Sequence, residues 1–415
     1  MVLNYIWISF FIIAFLVALA KTLMGDLDIF SLVVNSIFER AELGFKLSIG
    51  LTGIMALWLG IMRIGEKGGA IHVLSKIFAP LFSKLFPDIP SSSNAHGSII
   101  MNISANMLGL DNAATPLGLK AMNELQKHNP EKEKASNAQI LFLVLNTSGL
   151  TLIPTSIIAL RATAMAENSI IGNPTDIFIP ILIATYCSTL AGLIFVSIIQ
   201  KINLFQKTVL AYLLSATGLI GGLVWYLASH KEHIEIISDV FSGALIFGFI
   251  ISFILLGIKN KINIYEEFIE GAKDGFNVAI KIIPYLIAML CAIGAFTTSG
   301  AMLFIIEGIE SFFSLFLSDT RFVEALPTAI MKPLSGGGAR GMMVESWGQN
   351  ASEINSFVGR LTSTLQGSTE TTFYVLAVYF GSVGIKNTRY AIVAGLFADL
   401  IGVIAAILIA YVFWG

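Results

Sequence analysis

The sequence contains two copies of one pattern, and this duplication limits the folds that are open to the chain. Six positions between residues 41 and 70 recur without a gap between residues 272 and 301. In the first copy they are Ala41, Gly44, Phe45, Ile49, Gly69 and Ala70, and in the second Ala272, Gly275, Phe276, Ile280, Gly300 and Ala301. Every pair is offset by 231 residues (272 − 41 and 300 − 69). The fold must therefore contain two related units.

The composition places these units in a lipid bilayer. Of the 415 residues, 55% are hydrophobic and 13% are charged, whereas a soluble domain carries about 25% charged residues. The first apolar run, residues 3–24, lacks a positively charged start and a convincing cleavage site, so we predict a retained span rather than a signal peptide. We predict an all-α membrane protein with about nine transmembrane helices, each made from about 20 mostly apolar residues.

An extra apolar segment separates the two copies. We predict a first repeat over residues 1–205, a linking transmembrane helix over 206–230 and a second repeat over 231–415. Each copy has four predicted crossings, so equivalent starts lie five crossings apart and the second copy is inverted. Inverted repeats with paired broken helices are typical of secondary transporters, whose site lies near the bilayer midplane.

The charges constrain orientation and partners. Basic residues in the predicted loops favour a cytoplasmic N-terminus by the positive-inside rule. The net charge of −2 gives no sign of a nucleic-acid partner. Cys187 and Cys291 lie in apolar surroundings, so we interpret both as packing residues.

The segment from Gly359 to Gly384 is the strongest candidate for a functional element. Its first half is dense in hydroxyl and amide side chains, its second half is apolar, and Glu370 lies between them. An ionisable residue inside a membrane segment indicates a functional site. The alternative is that the hydroxyl groups only hold helices together.

Three further segments share this mixture of polar and apolar residues. Residues 138–163 carry a polar centre followed by Pro154, which predicts a second broken helix. Residues 98–119 are too polar to face lipid and too apolar for a simple loop, which favours a re-entrant hairpin, and residues 332–338 form the equivalent glycine-rich stretch. Residues 29–43 are predicted to lie at the interface, and residues 120–137 to form a charged loop.

We predict that the two hairpins and the two broken helices converge on one substrate site. The candidate residues of the first copy are Asn106, Asp111, Asn112, Thr115, Asn146, Thr147 and Ser148. Those of the second copy are Ser335, Gly336, Gly337, Gly338, Arg340, Gln366, Ser368, Thr369, Glu370 and Thr371. Glu370 and Asp399 are the candidates for binding a coupling ion, H⁺ or Na⁺.

Several of these residues have a structural alternative. The three glycines could present backbone N–H groups to an anion or simply form a tight turn. Asp111 and Asn112 could serve a cation or a hydroxylated ligand, or cap the next half-helix. Arg360 could pair with Glu370 or Asp399, in a functional or a purely structural ion pair.

Nothing in the sequence indicates covalent catalysis or a cofactor. His230 and His233 share a charged loop that is most simply solvated surface; the alternative is a metal site, for which the two histidines alone supply too few ligands. No Ser-His-Asp arrangement, HExxH motif or paired acidic motif is visible. We therefore predict that the protein is not an enzyme.

Five phrases carry a resemblance to a known family. They are LFPDIP (85–90), GLDNAATPLGLKAM (109–122), NTSGLTLIPTSIIALR (146–161), PLSGGGARGMM (333–343) and SFVGRLTSTLQGSTETTFYVLAVYFGSVGIKNTRYA (356–391). They resemble the bacterial spore maturation proteins A and B, here fused with A first (about 1–200) and B second (about 230–415). Both carry the membrane domain called the nucleoside recognition or Gate domain.

The resemblance implies a function and a location. The Gate domain is similar to the cores of concentrative nucleoside transporters and of bacterial ferrous-iron transporters, and QGSTETTFY at 366–374 looks like the unwound motif that contacts nucleoside in the former. In spore formers the two proteins are associated with dehydration of the spore core. The resemblance also implies the bacterial inner membrane and, by analogy with related transporters, a homo-oligomer.

Together these features favour a secondary transporter or exporter that works by alternating access. Its substrate would be a small polar organic solute, with anions among the candidates. A non-transporting membrane scaffold or receptor in envelope or spore maturation is the alternative.

Overall fold

Helices make up almost the whole structure. The computed structural model describes residues 2–90, 92–109, 111–229 and 234–415. Helices account for 78% of the chain, and the described residues contain no β-strand. The predicted all-α fold is confirmed.

The first copy of the repeat contains eight helices. They are α1 (Val2–Leu23), α2 (Ile29–Lys67), α3 (Ala70–Leu85), α4 (Asn94–Met107), α5 (Asp111–Lys127), α6 (Asn137–Thr147), α7 (Thr155–Glu167) and α8 (Phe178–Gln200). The linking helix is α9 (Lys207–Ser229).

The second copy follows the same order. Its helices are α10 (Ile234–Lys259), α11 (Ile264–Thr298), α12 (Ala301–Phe313), α13 (Leu326–Met331), α14 (Gly336–Ser346), α15 (Phe357–Gly367), α16 (Thr372–Ser382) and α17 (Ala391–Trp414). Short 3₁₀ turns at Arg321–Ala325 and Gln349–Ala351 precede α13 and follow α14.

Six helices of the described chain are long and apolar enough to cross a membrane: α1, α2, α8, α9, α10 and α17. A bent pair formed by the end of α11 and α12, with an angle of 68°, raises the number to seven. The pairs α6–α7 and α15–α16 are each divided by a break, so neither half reaches the length of a span. The predicted number of nine is therefore approximate.

Two stretches differ from the predicted elements. Residues 29–43 do not form a separate interfacial helix, because α2 runs without interruption from Ile29 to Lys67. Ile29 and Val33 are buried in one cluster with Ala14 and Ala18 of α1, so tertiary packing continues the helix. Residues 120–137 are only partly a loop, since α5 continues to Lys127.

The contact between α2 and α11 shows how the two copies are related. A Cβ atom placed on Gly44 would lie 3.1 Å from Ile287, and one on Gly275 would lie 2.6 Å from Ala56. Adding 231 to Gly44 gives Gly275, and subtracting 231 from Ile287 gives Ala56, so one contact is the image of the other. The contacts also show that the helices run antiparallel. Because equivalent helices run in opposite directions and exchange their contacts, the second copy is inverted, as predicted.

The last helices of the two copies, α8 and α17, repeat this arrangement. Gly192 lies against Ala398, and Gly402 lies against Ser188, so these helices are also antiparallel. Ser188 Oγ donates a 2.9 Å hydrogen bond to the backbone carbonyl of Ala398. Small residues allow the close approach, as in other membrane helix pairs.

Candidate functional site

The breaks in the two interrupted helices meet each other. The first break follows Thr147 at the end of α6, and the second lies between Gly367 and Thr372. The backbone N–H of Glu370 donates a 2.8 Å hydrogen bond to the carbonyl of Thr147. A helix leaves its last carbonyls without partners, so the second copy satisfies a group that the first copy exposes.

Each break is also supported by the hairpin of its own copy. The N–H of Leu152 donates to the carbonyl of Met107 at 2.8 Å, and the N–H of Phe373 donates to the carbonyl of Pro333 at 3.0 Å. The first hairpin turns at Gly109, whose φ of +69° and closeness to Ile153 exclude a side chain. The four predicted elements therefore converge.

The larger of two adjoining cavities at this junction has a volume of about 550 Å³. Both copies contribute polar residues to its wall: Asn106, Thr115, Asn146, Ser335, Gly336, Gly337, Arg340, Glu370 and Thr371. Three tyrosines, Tyr285, Tyr374 and Tyr379, add an aromatic wall. The cavity thus presents polar and aromatic surface to one ligand.

A smaller cavity of about 130 Å³ adjoins the first. The two cavities share Asn106, Gly336, Arg340, Glu370 and Thr371. The smaller one is also lined by Thr151, Thr155, Ser156, Lys332, Gln366 and Thr369, so its wall is largely polar. Shared walls make the two cavities parts of one site.

An amide network fixes one wall of the larger cavity. Asn146 Oδ1 accepts hydrogen bonds from Asn106 Nδ2 at 2.7 Å and from the Tyr379 hydroxyl at 3.3 Å. Tyr379 stacks on Phe142, with ring centroids 5.7 Å apart. The network joins α4 and α6 of the first copy to α16 of the second, so the position of each depends on the other copy.

Gln366 brings an unsatisfied acceptor to the smaller cavity. Its side chain is 3% exposed, and its Nε2 donates to the carbonyl of Gly336 at 3.3 Å. Its Oε1 is buried and has no hydrogen-bond partner among the described residues. A buried acceptor left unpaired costs about 1–3 kcal/mol, which a ligand with a hydrogen-bond donor would offset.

Glu370 lines both cavities, and its side chain is exposed. Within the described chain, its carboxylate makes no ion pair. The group is therefore open to a donor or a cation that enters from the cavity.

Arg360 has a different partner from the two carboxylates that the sequence suggested. Its Nε donates to Asp176 Oδ2 at 2.8 Å, and the fully buried Arg161 donates to Asp176 Oδ1 at 3.0 Å. Arg360 lies near the start of α15 and Glu370 lies beyond its last residue, Gly367. The seven helical residues from Arg360 to Gly367 rise by about 10 Å, so the two side chains belong to opposite ends of α15. The arginine serves an ion-pair network between the two copies.

Asp399 lies on α17 beside the second break rather than in either cavity. It is 3% exposed, and its Oδ2 accepts a 2.6 Å hydrogen bond from Thr372 Oγ1. Thr372 directly follows Thr371, which lines both cavities, so Asp399 is bonded to the residue next to the wall of the site.

Four of the predicted substrate-binding residues lie outside the two cavities. The hydroxyls of Thr147, Ser148 and Ser368 donate to carbonyls of their own helices, Val144, Leu145 and Leu365. Gly338 faces Met331 and Met289, and its N–H donates a 3.0 Å hydrogen bond to the Oγ of Ser335, the N-cap of α14. These groups shape the breaks and the hairpin. Asp111 and Asn112 begin α5, but their side chains lie outside the described residues.

The three tyrosines and Lys332 also line the cavities, although the sequence pattern did not mark them as site residues. Tyr374 and Tyr379 lie in the apolar half of the 359–384 segment, where an aromatic residue looks like a lipid contact. Thr155 and Ser156, which line the smaller cavity, were also not predicted. They follow Pro154 directly, and this polar cluster after the break was the signal that could have placed both in the site.

Comparisons with known proteins agree with this duplicated site. A sequence profile described as nucleoside recognition, the Gate family, matches residues 48–164 and 279–386. Spore maturation protein A of Bacillus subtilis (strain 168) is 40% identical over 191 residues, covering 46% of this chain and 92% of that protein. Spore maturation protein B of the same organism is 45% identical over 165 residues, covering 39% of this chain and 88% of that protein. Each relative is matched over most of its length by about half of this chain, as in a fusion.

Proposed function

The chain belongs to the nucleoside recognition (Gate) family of helical membrane proteins, and we propose that it is a secondary transporter or exporter of a small polar organic solute. The observation that carries this proposal is the convergence of two hairpins and two broken helices, one of each from each inverted copy, on adjoining cavities. Transporters that work by alternating access place their site at such a junction.

The cavity walls support a class of solute. A volume of about 550 Å³ falls within the range of small-molecule sites, about 300–1,000 Å³. Lys332 and Arg340 provide positive charge, and the N-terminus of α14 at Gly336 and Gly337 favours an anionic group. The tyrosines provide a surface against which a flat or apolar part of the solute can pack. A small organic solute with a polar or anionic end satisfies both walls.

Two carboxylates support coupling to H⁺ or Na⁺. Glu370 faces the cavities, and Asp399 lies behind them in contact with Thr372. Carboxylates at membrane depth are typical of ion and proton pathways. In our proposal, Glu370 contacts the solute or the ion, and Asp399 acts on the break through Thr372.

The setting is proposed to be the bacterial inner membrane, with a cytoplasmic N-terminus and a homo-oligomeric assembly. The distribution of basic residues in the loops supports this orientation. Labelling of single introduced cysteines by an impermeant reagent in intact cells and in inverted vesicles tests it.

A receptor or scaffold that binds the same solute without moving it is the second candidate. The relatives carry names that refer to spore maturation rather than to transport. Contacts between the two copies at Asp176 and at Glu133 also favour a molecule that stays in one conformation.

Ligand binding to the purified protein, followed by transport, separates these candidates. The protein in detergent is heated with nucleosides, amino acids, dicarboxylates or peptidoglycan fragments, at varied Na⁺ and pH. A ligand at about 100 times its Kd stabilises by about 2.7 kcal/mol. The solute that gives a shift is then tested for counterflow in proteoliposomes. Counterflow supports a transporter, and a shift without counterflow supports a receptor. No shift with any compound contradicts binding of these solute classes.

A further inference from the structure

The candidate site is shared between two halves whose interface resembles the interface between two subunits. Exchanged contacts are the mark of a twofold interface in a dimer, where residue i of one subunit meets j of the other and j meets i. A second set of contacts between α2 and α11 has this property. A Cβ on Gly294 would lie 2.6 Å from Arg40, and one on Gly271 would lie 2.6 Å from Arg63. An offset of 231 residues converts one contact into the other.

The interface is closed at both ends by polar contacts between the copies. At one end, Arg161 donates to the carbonyl of Ile354 at 2.9 Å, in addition to the pairs at Asp176. At the other end, the N–H of Lys386 donates to the carbonyl of Glu133 at 2.8 Å, and their side chains form an ion pair at 2.6 Å. None of these contacts involves α9.

The linking helix α9 is anchored near its two ends, where Val209 and Leu227 are fully buried in core clusters, and most of its other described side chains are exposed or half-buried. Only 6% of the most apolar 18-residue stretch of α9 is buried inside the structure, whereas the corresponding share is 50% for both α2 and α8. It lies outside both stretches that match the family profile. Two exposed hydrogen bonds join α9 to the first copy. The Tyr212 hydroxyl donates to the carbonyl of Ile77 at 2.5 Å, and the hydroxyls of Thr217 and Tyr186 lie 2.5 Å apart. It lines neither described cavity.

What α9 does supply is one crossing of the membrane. With α9, equivalent helices of the two copies start on opposite sides of the membrane. Without it, a continuous chain would insert both copies in the same orientation, and the antiparallel contact of α2 with α11 could not form. Lys259 ends α10, Lys261 follows it, and both favour the cytoplasmic side, so the second copy also carries its own orientation signal.

We propose that α9 acts as a topological adapter, and that each half recognises the other as a separate partner through the α2–α11 face without needing the covalent link. The two relatives that match the halves are two separately named proteins. The proposal concerns assembly, so it holds for a transporter and for a receptor alike.

The first experiment uses the full chain. Protease sites are inserted after Phe205 and within residues 230–233, and Glu133→Cys with Lys386→Cys is added in a Cys187→Ser, Cys291→Ser background. After both loops of the purified protein are cut, we expect the two large fragments to elute together in detergent. We also expect an oxidant to join them by the introduced cysteines as completely as in the uncut protein. Separation of the fragments, or loss of the cross-link, overturns the proposal that the halves hold together without the link.

The second experiment removes residues 207–229. In the continuous chain, we expect loss of the cross-link, because the second copy then inserts in the wrong orientation. Co-expression of residues 1–205 with residues 234–415 is expected to restore it. A continuous chain without α9 that still forms the cross-link overturns the adapter role. If both halves reach the membrane and form no cross-link, self-assembly of the halves is overturned.

Discussion

The backbone N–H of Glu370 donates a hydrogen bond to the carbonyl of Thr147 at 2.8 Å, although the two residues belong to different copies of the repeat. The bond ties the end of α6 to the break that carries Glu370, the only acidic side chain among the described residues that line the two cavities. A shift of one broken helix must therefore move the other. This joint is where solute binding and conformational change would be connected.

Glu370→Gln should separate binding from folding. The carboxylate is exposed and makes no ion pair with the described residues, so we expect the free energy of unfolding to change by less than about 0.5 kcal/mol. Hydrogen bonds to a charged group contribute about 1.5–3 kcal/mol, which corresponds to roughly 10–100-fold weaker solute or ion binding. Thermal unfolding without ligand measures the change in stability, and the shift produced by added ligand measures the change in binding. Glu353→Gln, another exposed carboxylate, is the control, and equal binding by the two variants would remove Glu370 from the site.

Asp399→Asn should remove ion dependence while the helix contact with Thr372 stays. Asparagine keeps the shape and an acceptor for Thr372 Oγ1, but it cannot exchange a proton. One coupled proton changes affinity by at most about tenfold per pH unit. We expect affinity measured across pH, or across Na⁺, to become flat in the variant. Thr372→Val, which keeps the carboxylate, should retain the dependence in altered form. An unchanged pH and Na⁺ profile in Asp399→Asn would show that coupling occurs elsewhere.

Much of this site follows from the sequence because its main features are local. The 231-residue repeat and the polar breaks at Asn146 and Gln366 are visible without any tertiary information. An odd number of predicted membrane crossings between equivalent helices then indicated that the second copy is inverted, and the antiparallel contact of α2 with α11 confirms this. A break must be lined by protein or water at membrane depth, so its polar residues were predicted together.

The remaining features depend on contacts that no local pattern reports. The partner of Arg360 is Asp176, 184 residues away. Whether a hydroxyl faces a cavity depends on the rotation of its helix, which is why Thr147, Ser148 and Ser368 bond to their own helices instead. The tyrosine wall was missed because an aromatic residue on an apolar helix fits lipid and a cavity equally well.

Asp176→Asn should destabilise the protein strongly. Asp176 accepts hydrogen bonds from two arginines, the fully buried Arg161 and Arg360. Loss of one partner of a buried ion pair costs about 3–5 kcal/mol, because it leaves a buried charge without compensation. Detergent thermal unfolding measures the loss, and Arg161→Met added to Asp176→Asn should recover part of it.

The exposed pair of Lys273 with Glu270 provides the control for this network. Glu270→Gln should leave thermal stability unchanged, because solvent screens exposed pairs. If Asp176→Asn were as harmless as Glu270→Gln, the Asp176 network would not hold the two copies together.

Gly109→Ala should damage the first hairpin, and Gly97→Ala in the same hairpin should not. Gly109 has a φ of +69°, and a Cβ would lie 2.7 Å from the carbonyl oxygen of Ile153. The left-handed conformation alone costs an L-residue roughly 1–2 kcal/mol, and the clash adds to it. Nothing lies within 4 Å of a Cβ on Gly97, so alanine there should stabilise by about 0.4–1 kcal/mol. Thermal unfolding of both variants checks the contrast, and equal melting temperatures would contradict the hairpin geometry.

Gln366→Met should act in opposite directions on stability and on binding. The buried Oε1 has no partner among the described residues, and the Nε2 bond to Gly336 is long at 3.3 Å. Methionine fills a similar volume without an unpaired acceptor, so the unliganded protein should be as stable as the parent or more stable, by up to about 1 kcal/mol. The thermal shift given by the solute should disappear. Gln200→Met is the matched control, because Gln200 donates 2.8 Å bonds to Asn137 and Tyr390 away from the cavities. That variant should lose about 1–2 kcal/mol of stability and keep the solute shift. A Gln366→Met protein that melts early and still responds to solute would identify Gln366 as a structural residue, and its Oε1 would then not be an acceptor for the ligand.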